Sequence, residues 1–177
     1  MKVTISFFRH GESEANIVQH QMKCGDVRHL FMRDPTLTKS GIEKSIGSQQ
    51  DAPQADIILS SQLLRAIQTG LWTYPKRFIH VIPYLNELGG GLDNLPHDKN
   101  GQKHLLGSDF YRVIFNDESS EGNFMIYLQK YILGRFKKDH VHISMFTHSR
   151  FMKKYLKMNI NDLPNNIMIQ KEYEISI

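Results

Sequence analysis

Largely apolar stretches of strand length alternate along this chain with stretches of helical periodicity. Val3–Phe8 predicts a first strand that ends at a turn marked by Gly11, which puts His10 at the strand's C-terminal end. A polar helix is expected from about Ser13. Thr38 has the chemistry of an N-cap for a second helix to about Gln50, although only Ile42 and Ile46 give it an apolar stripe. Ile57–Leu59 predicts the next strand. Ser60 or Ser61 would cap a helix carrying Leu63, Leu64, Ile67, Leu71 and Trp72, and Phe78–Ile82 predicts a third strand. Phe124, Leu128, Tyr131 and Ile132 recur at helical spacing, so an amphipathic helix is expected over Glu121–Phe136. Val141–Phe146 reads as a buried strand ending near His148, and Met168–Ile175 as the strand that closes the sheet. Ser119-Ser120 and Pro164-Asn165-Asn166 mark loops. Alternation of this kind predicts an α/β three-layer sandwich, a mostly parallel central sheet with helices on both faces, in one domain over residues 1–177.

Composition fits that picture and narrows the functions. With 177 residues, 40% hydrophobic and 23% charged, the chain has the make-up of a globular domain with a real core. Its formal charge of +4 would help draw in an anionic substrate but is too small to indicate nucleic acid. Lys137-Lys138 and Lys153-Lys154 read as solvated helix ends. Cys24 is the only cysteine, so no intrachain disulfide forms, and a free structural thiol is expected. No run is long enough for a membrane span or a signal-peptide core, from which a cytoplasmic protein with no membrane partner is expected. Oligomeric state is left open.

The chemistry gathers at the end of the first strand. In open α/β sheets ligands bind at the C-terminal ends of the strands. Arg9-His10-Gly11-Glu12-Ser13-Glu14-Ala15-Asn16 places there an imidazole, nucleophilic near neutral pH, beside a guanidinium that can fork onto phosphoryl oxygens. Alone, the Arg-His pair is more often a surface turn. Four further segments follow in order: Leu37-Thr38-Lys39-Ser40-Gly41, Ser60–Thr69, Leu85-Asn86-Glu87 and Phe146-Thr147-His148-Ser149. Together they resemble the histidine phosphatase superfamily, in its phosphoglycerate-mutase-like branch, from Met1 to at least Phe151.

That resemblance implies a phosphomonoesterase working through a phosphohistidine, with no metal and no cofactor. His10 would be the nucleophile, one ring nitrogen attacking while the other donates to a main-chain carbonyl in the Gly11 turn, where glycine would permit an unusual conformation. Arg9, Arg65 and His148 would neutralise the phosphoryl oxygens, with Asn16 as an amide donor and the Ser149 backbone N–H at a helix start. Arg65, in the first turns of its helix, would lean back over the strand edge. Glu87 would hold the proton for the leaving oxygen, with Asp93 in the Gly89-Gly90-Gly91-Leu92-Asp93 loop as the second choice. Those glycines lack the strand-to-helix setting of a nucleotide-binding turn and read as a flexible substrate loop.

Two departures from the family pattern stand out. The second histidine is usually followed by glycine, whereas here the run is His148-Ser149-Arg150. Arg150 would either project into the cleft and select a further negative charge or point to solvent. Lys44-Ser45 replaces an apolar helix-packing pair. His140-x-His142 with His148 has the look of a metal triad but lacks an acidic or cysteine partner at ligand spacing. His20, His29, His80, His97 and His104 read as surface residues.

The substrate is expected to be a phosphorylated small molecule or phosphoprotein, with Arg28, Arg33, Arg112 and Arg150 as candidate specificity contacts. A mutase returning the phosphoryl group to its substrate, and an inactive phosphate-recognition module, are the alternatives. The short interval after Glu87 and the end of the chain at its last strand favour hydrolysis over the mutase. The complete set Arg9, His10, Arg65, Glu87 and His148 argues against an inactive module.

Overall fold

The computed structural model describes residues 1–21, 28–116, 124–158 and 163–175. Among them six strands, β1 (Lys2–Arg9), β2 (Ile57–Ser60), β3 (Ile79–Val81), β4 (Val113–Phe115), β5 (His140–Thr147) and β6 (Met168–Glu174), form one sheet in the order β4-β3-β2-β5-β1-β6. Every pairing is parallel except that of β6, which runs antiparallel to β1 at the edge. The helices are α1 (Glu14–Gln21), α2 (Lys39–Gly47), α3 (Leu64–Thr73), α4 (Lys99–Leu106), α5 (Phe124–Tyr127) and α6 (Ser149–Leu156). The expected α/β architecture with a mostly parallel sheet is present.

Two cores flank the sheet because side chains alternate along each strand. Val3, Ile5 and Phe7 of β1, with Val141, Ile143 and Met145 of β5, pack on one side against Phe124, Leu128 and Ile132 and against Phe151 and Met152 of α6. Phe8, Ile58 and Phe146 point to the other side and meet Leu64, Ile67 and Leu71 of α3. The central strands are thus covered on both faces, and their C-terminal ends open into one crevice.

Several elements differ from the sequence expectation. The predicted 121–136 helix is a run of three geometries: α over Phe124–Tyr127, π over Leu128–Ile132 and 3-10 over Leu133–Arg135. Its buried positions Phe124, Leu128 and Ile132 agree with the predicted stripe. Helix α4 and strand β4 were not expected. Helix α4 contains Gly101 and buries only Gln102 and Leu106, while β4 has three residues, so neither carries a periodic signal. Cys24, Ser119-Ser120 and residues 121–123 lie outside the described residues. No described helix is long and apolar enough to cross a membrane.

The cap of α3 is a further correction. Neither Ser60 nor Ser61 serves as the helix N-cap. That place falls to Leu63, which has no side-chain cap, and the Leu64 N–H donates instead to Asp34 Oδ1 at 2.8 Å. Asp34 Oδ2 accepts from the His97 N–H at 2.9 Å, so one buried carboxylate from a distant loop secures the start of α3 and the 92–97 segment together. Asp34 sits at φ 41°, in the left-handed region that Asp and Asn enter more readily than most residues.

Candidate active site

The motif segments are stitched to one another before they build a site. The Gly11 N–H donates to Thr69 Oγ1 at 2.9 Å, and the Leu37 N–H donates to Gln68 Oε1 at 2.9 Å. Thr38, the cap of α2, donates to Glu12 Oε1 at 2.9 Å. A Cβ on Gly41 would stand 2.2 Å from the Glu12 carbonyl oxygen, and one on Gly11 would stand 3.0 Å from the Gly41 oxygen. Gly41 is therefore required for the close approach of two backbones, while Gly11 is packed tightly against Gly41 and lacks the positive φ that the expected conformational freedom would use. Ser45 is fully buried and explains the polar residue in place of an apolar one: its Oγ donates to the Gly41 carbonyl at 2.7 Å and accepts from Asn166 Nδ2 at 3.0 Å.

These contacts leave a cavity of about 480 Å³ at the strand ends, lined by Arg9, His10, Asn16, Arg65, Glu87 and Ser149, with Ser13, Gln19, His20, Asp93, Arg150 and Lys153 around them. His148 does not line it. It is fully buried after the end of β5, with its ring centroid 5.0 Å from that of His10.

His10 follows β1, and its backbone N–H is held by the Thr147 carbonyl at 3.0 Å. Its Nδ1 lies 2.7 Å from the Gly11 carbonyl, which can only accept. Nδ1 therefore carries the proton and Nε2 keeps its lone pair. Burial, reinforced by the charges of Arg65 and Arg9, holds the His10 pKa well below the ordinary histidine value, so the ring is neutral at pH 7.

His148 Nε2 lies 2.7 Å from Ser61 Oγ, whose other contact is accepting the Leu63 N–H at 3.2 Å. The serine hydroxyl then donates to Nε2, and the proton of the neutral ring falls on Nδ1. That atom is buried with no partner among the described residues. Burial, with Arg65, His10 and Arg9, lowers the His148 pKa well below its usual range. A buried N–H donor on a ring whose centroid is 5.0 Å from that of His10 calls for an acceptor.

Arg65 is buried, with Nη1 donating to the Asp93 carbonyl at 2.6 Å and Nη2 to Asn94 Oδ1 at 2.8 Å. Its guanidinium thus reaches the cavity as expected but also anchors the 93–94 turn. Asn16 Oδ1 accepts from the Ser13 N–H and Oγ–H, both at 3.0 Å, and from Asn165 Nδ2 at 3.2 Å, which orients the Asn16 amide as a donor. Ser149 is the first residue of α6, with His148 at the cap position.

Glu87 is placed by its neighbours. Thr147 Oγ1 donates to the Leu85 carbonyl at 2.7 Å, and Asn86 exchanges two 2.8 Å bonds with Gln62. Burial raises the Glu87 pKa above the ordinary carboxyl value, against the lowering pull of its bonds from the Leu88 and Arg150 N–H groups and of the Arg65 and Arg150 charges. Asp93 also lines the cavity, and its Oδ1 is buried without a partner among the described residues.

The structure decides between the two places open to Arg150 and corrects other expectations. Arg150 does project to the cavity, its Nη1 donating to the Leu88 carbonyl at 2.9 Å. Lys153 lines the cavity and is not simply a solvated helix end, while Lys138 pairs with Asp56. Arg33 donates to the Pro96 carbonyl at 3.1 Å and Arg112 pairs with Asp109 at 2.7 Å, both away from the cavity. His140 and His142 bond to Thr4 Oγ1 at 2.7 Å and Ser6 Oγ at 2.9 Å. They sit at the start of β5, about 20 Å or more from His148 at ~3.3 Å per residue, so the three cannot share an ion. Among the described residues no group of three metal-ligating side chains is gathered.

Asn165 was read only as part of a loop. Its Nδ2 donates to the carbonyls of His10 at 3.1 Å and Gly11 at 3.0 Å as well as to Asn16, so the C-terminal segment straps the His10 turn. An Asn-Asn pair after proline signals only a loop.

No protein-family model and no curated protein sequence matches the chain. Solved structures do. A phosphoserine phosphatase of Entamoeba histolytica, solved with 3-phosphoglyceric acid, is 23% identical over 95% of this chain and 89% of that one, with a TM-score of 0.53. A mycobacterial glucosyl-3-phosphoglycerate phosphatase is 15% identical over 97% of this chain and 91% of that one, with a TM-score of 0.56. At these identities the likeness speaks to architecture alone. The chain has the fold of these two phosphatases.

Proposed function

We propose that the protein is a phosphomonoesterase that works through a phosphohistidine on His10, without a metal or cofactor. The observation that carries this reading is the commitment of His10 Nδ1–H to the Gly11 carbonyl, which leaves a neutral Nε2 at the wall of a cavity shared with Arg9 and Arg65. Both structural neighbours reported above bear the names of phosphatases acting on small phosphorylated molecules, which supports a phosphorylated small molecule as the substrate class.

In the first step His10 Nε2 attacks phosphorus as the bond to the ester oxygen breaks, and Glu87 gives its carboxyl proton to the departing oxygen. Arg9, Arg65, the Asn16 amide, the Ser149 backbone N–H and His148 Nδ1–H hold the phosphoryl oxygens, whose charge persists through transfer. In the second step water attacks phosphorus, the Glu87 carboxylate takes its proton, and the P–N bond returns its electrons to His10. Glu87 fits the acid role because burial raises its pKa above the ordinary carboxyl value, which favours the protonated form.

The test is release of inorganic phosphate from an aryl phosphate in the presence of chelator, by the wild type and by His10→Ala. The reading requires release by the former and none above background by the latter. Equal release by both proteins would overturn it.

A further inference from the structure

His10 and His148 carry their protons on the same ring atom and put them to different use. The Nδ1–H of His10 is taken up by the Gly11 carbonyl, which leaves the Nε2 lone pair free. In His148 it is Nε2 that is taken up, by Ser61 Oγ at 2.7 Å, and the Nδ1–H is left without a partner among the described residues. The two ring centroids are 5.0 Å apart and the ring planes are inclined by 53°. Ser61 and His148 are both fully buried, so neither ring nitrogen of His148 can exchange its partner for bulk water.

Ser61 is itself held by its main chain. Its N–H donates to the Phe146 carbonyl at 3.0 Å, its carbonyl accepts from Ser60 Oγ at 3.1 Å, and the next N–H, of Gln62, donates to Asn86 Oδ1 at 2.8 Å. The place of this turn therefore does not depend on the Ser61 hydroxyl. That hydroxyl accepts the Leu63 N–H at 3.2 Å, which turns its own proton toward His148 Nε2. Donation to Nε2 requires a lone pair there and sends the ring proton to Nδ1. A ring kept neutral by burial and by the nearby arginines has a single proton to place. No other described residue bonds either nitrogen, so without the hydroxyl the proton is free to move to Nε2 and leave a lone pair at Nδ1.

We propose that Ser61 is a positioning residue of phosphoryl transfer, whose hydroxyl holds His148 as the Nδ1–H tautomer so that the ring presents a hydrogen-bond donor to the phosphoryl group on His10. The proposal rests on the reading of His10 as the site of phosphoryl transfer. Ser61 is not among the residues that line the cavity, and its effect passes through His148. The wrong tautomer would replace a donor by a lone pair facing phosphoryl charge, which is repulsive where a bond is needed.

The experiment is a double-mutant cycle on an aryl phosphate, joined to nitrogen NMR of the histidine rings. Ser61→Ala is expected to lower kcat by on the order of 10²-fold, the cost of one lost donor to the transferring group. In a His148→Asn background, where the side-chain amide brings its own N–H donor and there is no Nε2 to orient, the same exchange should lower kcat by less than about threefold. The His148 signals are identified by their loss in His148→Asn. They should show the proton on Nδ1 in the wild type and a major share of it on Nε2 in Ser61→Ala. Inorganic phosphate, at concentrations that inhibit hydrolysis, should move the wild-type Hδ1 signal downfield. Circular dichroism confirms folding, and Ser61→Cys, close in size and only a weak donor, replaces Ser61→Ala in every arm if the alanine variant is unfolded. An equal cost of the Ser61 exchange in both backgrounds, an unchanged tautomer in the variant, or an Hδ1 signal that ignores phosphate overturns the proposal while leaving the phosphatase reading intact. No phosphate release by the wild type overturns both.

Discussion

Asn165 Nδ2 lies 3.0 Å from the carbonyl oxygen of Gly11, the same oxygen that accepts the His10 Nδ1–H bond at 2.7 Å. A residue 154 positions away thus aims the acceptor that selects the tautomer of His10. Asn165→Asp keeps the shape and removes the amide donor. It is expected to lower kcat by on the order of 10²-fold through misplacement of His10 and Asn16, with little change in KM for an aryl phosphate. Nitrogen NMR of His10 reads the cause directly, since the fraction protonated on Nδ1 should fall. An unchanged tautomer with unchanged kcat would make Asn165 an ordinary loop residue.

Arg65 has a double task, cavity charge and anchor of the 93–94 turn. Arg65→Ala should cost roughly 10²–10³-fold in kcat and raise KM as well. Arg65→Lys should recover only part, because one ammonium cannot reproduce the two directed bonds of the guanidinium. Near-normal kinetics in Arg65→Ala would remove it from the phosphoryl site.

Glu87→Gln should slow alkyl phosphates by roughly 10²–10⁴-fold and aryl phosphates far less, because only a poor leaving oxygen needs the proton. Equal slowing of both classes would transfer the acid role to Asp93. The pH dependence follows from the same groups. His10 is active when neutral and its pKa is lowered, so activity on an aryl ester should persist below the ordinary histidine range and fall only at more acidic pH. Glu87 is active when protonated and its pKa is raised, so turnover of alkyl esters should decline as pH rises through that raised value. Stability bears the same sign for the two histidines. Between their lowered folded values and about 6.5 the unfolded chain binds more protons, so stability rises with pH across that window.

Asp34 is the one-carboxylate clasp between α3 and the 92–97 segment. Asp34→Ala should destabilise by roughly 2–6 kcal/mol, from two N–H groups at about 1–3 kcal/mol each, and Asp34→Asn, with one acceptor oxygen left, by less. Denaturant unfolding measures both. A loss below about 0.5 kcal/mol in Asp34→Ala would show that water satisfies the freed N–H groups.

What the sequence reveals of this fold depends on how local each signal is. The strands β1, β2 and β5 and the helix α3 announce themselves in closely spaced apolar residues, whereas α4 buries only Gln102 and Leu106 and β4 is three residues long. His10, Arg65 and Glu87 fall in contiguous motif segments, and their meeting at one cavity is legible for that reason. Asp34, Ser61 and Asn165 are not, because each acquires its role from a partner far along the chain: Leu64 and His97 for Asp34, His148 for Ser61, and Gly11 for Asn165. The conformational freedom expected of Gly11 is not used, since its φ is not positive, and its tight packing against Gly41 is a tertiary fact that no spacing displays.

The most direct test of the account is the site of the covalent intermediate. After rapid mixing with an aryl phosphate and quenching under alkaline conditions, mass mapping should find one phosphoryl group on His10, stable to base and lost in acid as a phosphoramidate is. Formation of that adduct should be absent in His10→Ala, whose fold should be retained because the side chain lies at a strand's end beside the cavity. A phosphoryl group on any other residue, or turnover in His10→Ala, would contradict the account.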